Sequence, residues 1–431
     1  VTAPARGGPA RGTAALVALL ALLWLAAPAR ADDAPAPRDG PVPAVASEAR
    51  PENPVLALDR RFIALRIGIA GAALGLLVVG IALRRSGSAQ RWKRPQQVAL
   101  GLLAALSFGV NFNFFQSTAI HKHEFFHYYL GAKYAPELGY YEIYRCTVAA
   151  DFEQKFEHRN PLFQVMDLRN NELRMFWVVA PRSPLCDGAF TPPRWEEFKA
   201  DILRFREILG PEWRRVLLDH GYNPTPVWTL FGRPLAALFP VETGSLWILA
   251  RLDLVLIAIL LAAIGWAFGF EAACIAAIAW GANAHTRYQW IGDAFLRHLW
   301  LSASMLGLCL LRKSWFRGAG ALLTLASLLR IFPALFVAGY ALRQLRLRVS
   351  GEPFDPGFRR FSVSVVITGI ALLFAAGVVA GRGPGVYPEF SKRISTLTAS
   401  IANNNLGLTP LLAYSRGRPK PELVDGLLTI R

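Results

Sequence analysis

The stretch His121-Lys122-His123-Glu124-Phe125-Phe126-His127-Tyr128-Tyr129 gathers three imidazoles, a carboxylate and two phenols just after an apolar run ends. Side chains of these kinds at a membrane boundary lie where lipid, water and a polar substrate meet. The first chemistry that fits is metal-assisted hydrolysis. Within His-Glu-x-x-His, His123 and His127 share a helix face and could bind Zn²⁺ while Glu124 activates a water. A third protein ligand would then have to come from Glu137, Glu142, Glu197 or Asp201. The bulky Phe125 and Phe126 equally suit a helix packed at an interface.

The elements that must position these groups follow from composition. The chain has 431 residues, 53% of them hydrophobic, so part of it must face lipid. The net charge of +17 is not gathered on one basic tail; it sits in short clusters beside apolar runs. Those clusters speak of membrane topology rather than of a nucleic-acid partner.

Arg6 and Arg11 precede an apolar core from Ala14 to Ala27, followed by Ala29-Arg30-Ala31. This is the layout of a signal peptide over residues 1–31. Residues 32–62, rich at first in Pro, Ala and charge, read as a disordered exported linker. Ile63 to Leu83 and Val98 to Phe115 are long enough to cross a bilayer, and Arg84, Arg85, Arg91, Lys93 and Arg94 between them mark a cytoplasmic loop. Residues 63–97 thus form an extra span and basic loop ahead of a main module over 98–431.

Within that module, Thr118 to Thr243 is expected outside as a loop domain. The chain re-enters from Ser245 to Phe268, returns from Glu271 to Gly281, and crosses inward from Ala294 to Leu311 toward Arg312, Lys313 and Arg317. Gly318 to Leu342 reads as two half-helices with Arg330-Ile331-Phe332-Pro333 at the tip. As one span it would put Arg343, Arg346, Arg348, Arg359 and Arg360 outside, against the positive-inside rule. Phe361 to Ala380 crosses outward, and the chain stops at Arg431 without a closing span, as expected of a piece of a longer protein. The fold class is all-α: a polytopic transmembrane bundle with a long exported loop and a re-entrant pair of half-helices. A bacterial-type inner membrane with the active face exported is the matching location.

In the exported loop, Trp195 to Leu209 and Pro211 to His220 have helical apolar spacing, fitting either helices on the membrane face or ordinary helices of a compact domain. Cys146 and Cys186 both fall there, where an oxidising compartment lets them pair, whereas Cys274 and Cys309 fall inside spans. Arg251 and Asp253 lie on different faces of their span and should not pair with each other; Asp253 needs a partner elsewhere. No P-loop or dinucleotide fingerprint is present.

The wider segment Glu124-Phe125-Phe126-His127-Tyr128-Tyr129-Leu130-Gly131-Ala132-Lys133-Tyr134, then Glu137-Leu138-Gly139-Tyr140-Tyr141-Glu142-Ile143-Tyr144, opens the exported loop directly after a span. It resembles the first exported loop of GT-C glycosyltransferases, most of all the polyprenol-phosphate-mannose-dependent α-1,2-mannosyltransferases. Gly221-Tyr222-Asn223-Pro224-Thr225-Pro226-Val227-Trp228, Gly292-Asp293-Ala294-Phe295-Leu296-Arg297 and Arg330-Ile331-Phe332-Pro333 are similar to that family's segments at these places.

The resemblance implies an inverting hexosyltransferase that moves a mannose-like sugar from a polyprenyl-phosphate donor to a glycan, glycolipid or protein acceptor. In that family an acid just after the span, usually Asp, is the base; the matching residue is Glu124. Arg330 and Arg297, with Arg287 and Lys133 behind them, would hold the donor phosphate, and His127, Tyr128, Tyr129 and Asp293 the acceptor or sugar. Neither a metal nor another cofactor is required by this chemistry.

Plainer roles stand beside these. Arg330 could snorkel to the interface, Asp293 could cap a helix starting at Ala294, and the tyrosines could form an aromatic belt. Besides the zinc peptidase, a non-enzymatic membrane protein that binds lipid or assembles a complex accounts for the topology.

Overall fold

The computed structural model describes residues 54–87, 89–111, 120–154, 163–179, 183–283, 292–399, 421–424 and 427–430. The expected signal peptide, most of the linker, Arg287 and the Asn403-Asn404-Asn405 stretch lie outside them.

The described chain is mostly helical. The helices that matter for the site are α1 (Pro54–Arg85), α2 (Ala89–Asn111), α3 (Lys122–Lys133), α4 (Ile143–Glu153), α5 (Pro192–Leu209), α6 (Pro226–Leu238), α7 (Thr243–Phe268), α8 (Phe270–Gly281), α9 (Leu299–Arg312), α10 (Phe316–Leu329), α11 (Ala334–Val349), α12 (Phe358–Val379) and α13 (Val386–Ala399). One short antiparallel pair, β1 (Gln164–Asp167) with β2 (Glu172–Met175), lies between α4 and α5, and a second links Pro421–Val424 to Leu427–Ile430.

Among the described residues, three segments are long and apolar enough to cross a membrane: Phe62–Arg85, Thr243–Phe268 and Phe358–Val379. Their outward faces keep large apolar side chains such as Ile67, Leu74, Val255, Ile370 and Phe374 exposed, as lipid-facing helices do. Three boundaries differ from the sequence expectation, and one lies outside the described residues. Helix α1 begins at Pro54 rather than after residue 62, since proline's fixed φ suits a helix start and the apolar run has no breaker. The second expected span is helical as far as Asn111, with 112–119 outside the described residues. Residues 294–298 are not helical, and α9 starts only at Leu299. Finally, the Pro226–Leu238 helix α6 intervenes before the span, capped by the Thr225 hydroxyl.

The basic clusters share one end of the bundle. Arg84 lies 3.7 Å from Glu271 at the α7–α8 turn, Lys313 sits 5.0 Å over the Trp266 ring near the end of α7, and Ser364 of α12 bonds the Arg317 carbonyl. Helix α10 runs from this end to the other. There the chain breaks at Arg330-Ile331-Phe332-Pro333 before α11 begins. Arg330 is the C-cap in extended conformation, and the proline sets the next helix.

At the opposite end the segment from α3 to α6 forms one aromatic core. The i, i+3 and i+4 positions of α5, Trp195, Phe198, Ile202, Phe205 and Leu209, are buried in it, so this helix belongs to the compact domain instead of lying on a membrane face. The second expected amphipathic helix is reduced to a turn at Gly210–Glu212 and a single helical turn, Trp213–Val216. Gly131 is where α3 meets the loop before α6: a Cβ there would come within 2.2 Å of the Tyr222 ring. Tyr222 is itself fixed by stacking on Tyr140 and by a 2.6 Å hydrogen bond with Thr229.

Cys146 of α4 is joined to Cys186, closing a loop with a sequence separation of 40, while Cys274 and Cys309 are free and buried. A cross-link of that span restrains the unfolded chain by about 4 kcal/mol in the chain-entropy account. Alkylation of the denatured, unreduced protein should therefore label two of the four cysteines, and all four after reduction, as read by intact mass. Four labels before reduction would disprove the bond.

Candidate functional site

Helix α3 is set by its own histidines. His121 is the N-cap, its Nδ1 accepting the Glu124 N–H at 3.2 Å, so it takes the role that Ser, Thr, Asp or Asn usually fill. His123 Nε2 lies 2.7 Å from Asp219 Oδ2. His127 is buried, with Nδ1 2.8 Å from the His123 carbonyl and Nε2 2.7 Å from the Tyr144 hydroxyl. From Glu124 to Lys133 all but Tyr128 are buried, so α3 passes through the core rather than along it.

The residues facing Glu124 come from a loop, 292–298, that has no regular structure of its own. It is held from below by α7. Asp253, fully buried in that span, accepts the Arg297 N–H at 3.1 Å and the His298 N–H at 3.0 Å, and lies 3.0 Å from His298 Nδ1. Arg251, two residues earlier, forms an ion pair with Asp293 while its guanidinium sits 4.7 Å over the Trp247 ring. The Asp293 carbonyl in turn accepts the His121 N–H at 3.0 Å, and Phe295 packs among Phe125, Tyr129 and Trp228. The loop is thereby fixed with the Arg297 side chain directed at Glu124, with which it forms an ion pair.

Above this pair opens a cavity of about 490 Å³. Its polar side carries Tyr128, Asn223, Arg297 and Arg330, and its apolar side Leu328, Ile331, Phe332 and Leu373. Tyr128 donates to Asn223 Oδ1 at 3.0 Å. Among the described residues Arg330 has no ion-pair partner; its cation is offered to the cavity. Ile331, Phe332 and Leu335 beside it are 78%, 68% and 72% exposed, an apolar flank next to a free positive charge.

Of the residues expected at such a site, Arg297, Arg330 and Tyr128 line the cavity, and Glu124 stands behind Arg297, buried and not part of the lining. Others do neither. Lys133 is nine positions, ~14 Å at ~1.5 Å per residue, further along α3. It is buried there between Asp201 Oδ2 at 2.6 Å and Glu197 Oε1 at 2.9 Å, so it is a structural cation and not a phosphate ligand. Tyr129 donates to the Phe239 carbonyl and His127 to its own surroundings, so neither lines the cavity. Asp293 is occupied by Arg251; it caps no helix, because α9 begins later with His298 as its N-cap. Arg287 is outside the described residues. None of Glu137, Glu142, Glu197 and Asp201 reaches the His123–His127 face: Glu137 and Glu197 bind Arg194, Glu142 binds Arg145 and Arg169, and Asp201 binds Lys133. The residue missing from the sequence reading is Asp219, 96 positions from His123, for which no local pattern existed.

Burial pushes the Glu124 carboxyl up to about 7 against the pull of Arg297; Asp253 adds to the rise, while His298 and Arg330 oppose it. Neither of its oxygens accepts a hydrogen bond of good geometry among the described residues. A buried carboxylate of this kind, held near neutrality with acceptor capacity to spare, is suited to exchange a proton with a bound hydroxyl. Burial and the Arg297 charge lower His121 to about 4, keeping its capping nitrogen unprotonated. Burial, with Glu124 nearby, holds the Tyr128 phenol up at about 12, so it serves as a hydrogen-bond donor.

No protein-family model matches this chain, and neither the curated proteins nor the solved structures include one similar to it. The site stands on its own geometry.

Hydrogen bonds to a charged acceptor are worth about 1.5–3 kcal/mol each. Asp253→Asn should therefore raise amide hydrogen exchange at Arg297 and His298 at least about tenfold while α5 stays protected. Unchanged protection at 297–298 would show that the loop is held by other contacts.

Proposed function

We propose that this protein is an integral membrane glycosyltransferase that moves a mannose-like hexose from a polyprenyl-phosphate donor to an acceptor hydroxyl on the exported face, with inversion. The observation that carries the reading is the cavity in which Arg297, paired to the buried Glu124, and the unpaired Arg330 stand opposite an apolar, lipid-side flank. A polyprenyl phosphate matches this polarity, with its phosphate on the guanidinium groups and its chain leaving past Ile331 and Phe332. The basic ends of α1, α2, α9 and α10 gather at the other end of the bundle. By the positive-inside rule that end is cytoplasmic and the cavity is exported.

In the reaction Glu124 takes the proton of the acceptor hydroxyl as its oxygen attacks the anomeric carbon. The bond from that carbon to the phosphate oxygen breaks, and the electron pair leaves with the phosphate. Arg330 and Arg297 stabilise the charge that develops there. A donor phosphate competes with Glu124 for Arg297. Drawing the cation away makes the carboxylate more basic at the moment the base is needed.

A second reading, the zinc peptidase, draws on the approach of His123 and His127 to Asp219. It requires Glu124 to serve a metal-bound water, whereas the carboxylate is paired with Arg297.

Glu124→Gln, in membranes supplied with labelled polyprenyl-phosphate mannose, should lower transfer by about 10²–10⁴-fold at unchanged protein level, the range of a positioned base. Full transfer by that variant ends the assignment. Arg330→Ala should cost about 10²–10³-fold in turnover, as loss of one preorganised charge-stabilising group does. If turnover is instead intact and only membrane insertion falls, Arg330 is an interfacial anchor.

A further inference from the structure

We propose that His123, His127 and Asp219 form a binding site for a zinc-class divalent transition metal that braces the cavity rather than catalysing hydrolysis. One donor atom from each of the three residues lies within 4.8 Å of those of the others. His123 and His127 are an i, i+4 pair on one face of α3, their rings 4.9 Å apart, and Asp219 reaches them from the segment before α6.

Two details favour a metal over a purely hydrogen-bonded cluster. His127 Nδ1 is positioned to donate to the His123 carbonyl at 2.8 Å. That is the outer-shell arrangement that leaves Nε2 with its lone pair and fixes the ring toward a metal. Nε2 meets the Tyr144 hydroxyl at 2.7 Å and the Val216 carbonyl at 3.1 Å, so a metal bound there displaces both, leaving the Tyr144 oxygen with the Gly221 N–H at 2.8 Å. The His123 and Asp219 side chains are 30% and 41% exposed, which admits a hydrated ion and lets water complete four-coordination. Two imidazoles and one carboxylate suit Zn²⁺ and its neighbours and not the all-oxygen preference of Ca²⁺ or Mg²⁺.

The placement gives the ion a task. Asp219 begins the segment that continues through Tyr222 to Asn223, Pro224 and Thr225, which line the cavity, while α3 carries Glu124 and Tyr128. A metal bridging the two would hold the cavity wall against the helix that bears the carboxylate. Glu124 is committed to Arg297. This inference does not depend on sugar transfer being the reaction.

The test is equilibrium dialysis of the full chain, purified in detergent with a histidine-free affinity tag and stripped with chelator, against zinc at increasing concentration with elemental analysis. About one zinc per chain should be retained. His123→Ala and Asp219→Ala should each weaken retention more than about 100-fold, beyond the 10–100-fold of an outer-shell change. His220→Ala, beside the cluster but bonded to Asn171, should keep it. Cobalt(II) bound to the unaltered protein gives an answer even where a variant fails to fold: visible bands of a nitrogen–oxygen site support the proposal. No stoichiometric metal, retention unaffected by both substitutions, or a thiolate charge-transfer band overturns it. Zinc-dependent peptide hydrolysis abolished by Glu124→Gln would leave the metal standing, overturn its bracing role, and replace sugar transfer by the peptidase.

Discussion

A carboxylate buried in a membrane-length helix has to be fully bonded, and Asp253 meets that demand by gripping the backbone of a loop. Its two oxygens take the amide hydrogens of Arg297 and His298, and the His298 ring closes on it. The cost of desolvating the charge is offset only in this arrangement, so the span and the loop hold one relative position. Arg297 follows immediately and is aimed across at Glu124. Asp253 shares the task of aiming the guanidinium with the Arg251–Asp293 pair and the packing of Phe295.

The other wall depends on aromatic packing. Phe125, Tyr129, Phe295 and Trp228 interlock α3, the 292–298 loop and α6, and the Gly131–Tyr222 approach sets how closely the next segment can lie. The tail contributes as well. Arg393, fully buried, donates to the carbonyls of Leu168 and His220, and Glu389 accepts the Tyr140 N–H, so α13 is bound to the same domain. The chemistry-bearing groups thus stand on elements fixed from several directions, which is what a site needs if proton transfer is to meet a defined geometry.

Charges that look equivalent along the chain are divided into two classes by this packing. Lys133 and Arg194 pair with Glu137, Glu197 and Asp201 around α5 and brace the domain. Arg330, at the break between α10 and α11, has no such partner among the described residues and lines the cavity. Its position follows from a helix that stops one residue before it, with Pro333 three positions on. A break there was expected from the positive-inside rule, which a single long helix with five following arginines would oppose; that Arg330 has no ion-pair partner among the described residues was not legible.

The three histidines show where local reading stops. Their proximity to Glu124 was plain, but their separate tasks were not. His121 caps, His123 meets Asp219, and His127 is sealed against Tyr144; each partner except the cap comes from a distant part of the chain. Apolar run length and the clustering of basic residues were determined by the sequence alone, since hydrophobic thickness and the positive-inside rule need only composition and order, while the Cys146–Cys186 bond expected from sequence is formed in the structure. Which cation pairs with Glu124, and which acid joins the histidines, were decided by tertiary structure. Those pairings span tens to hundreds of residues, and only packing brings their charges within reach of one another.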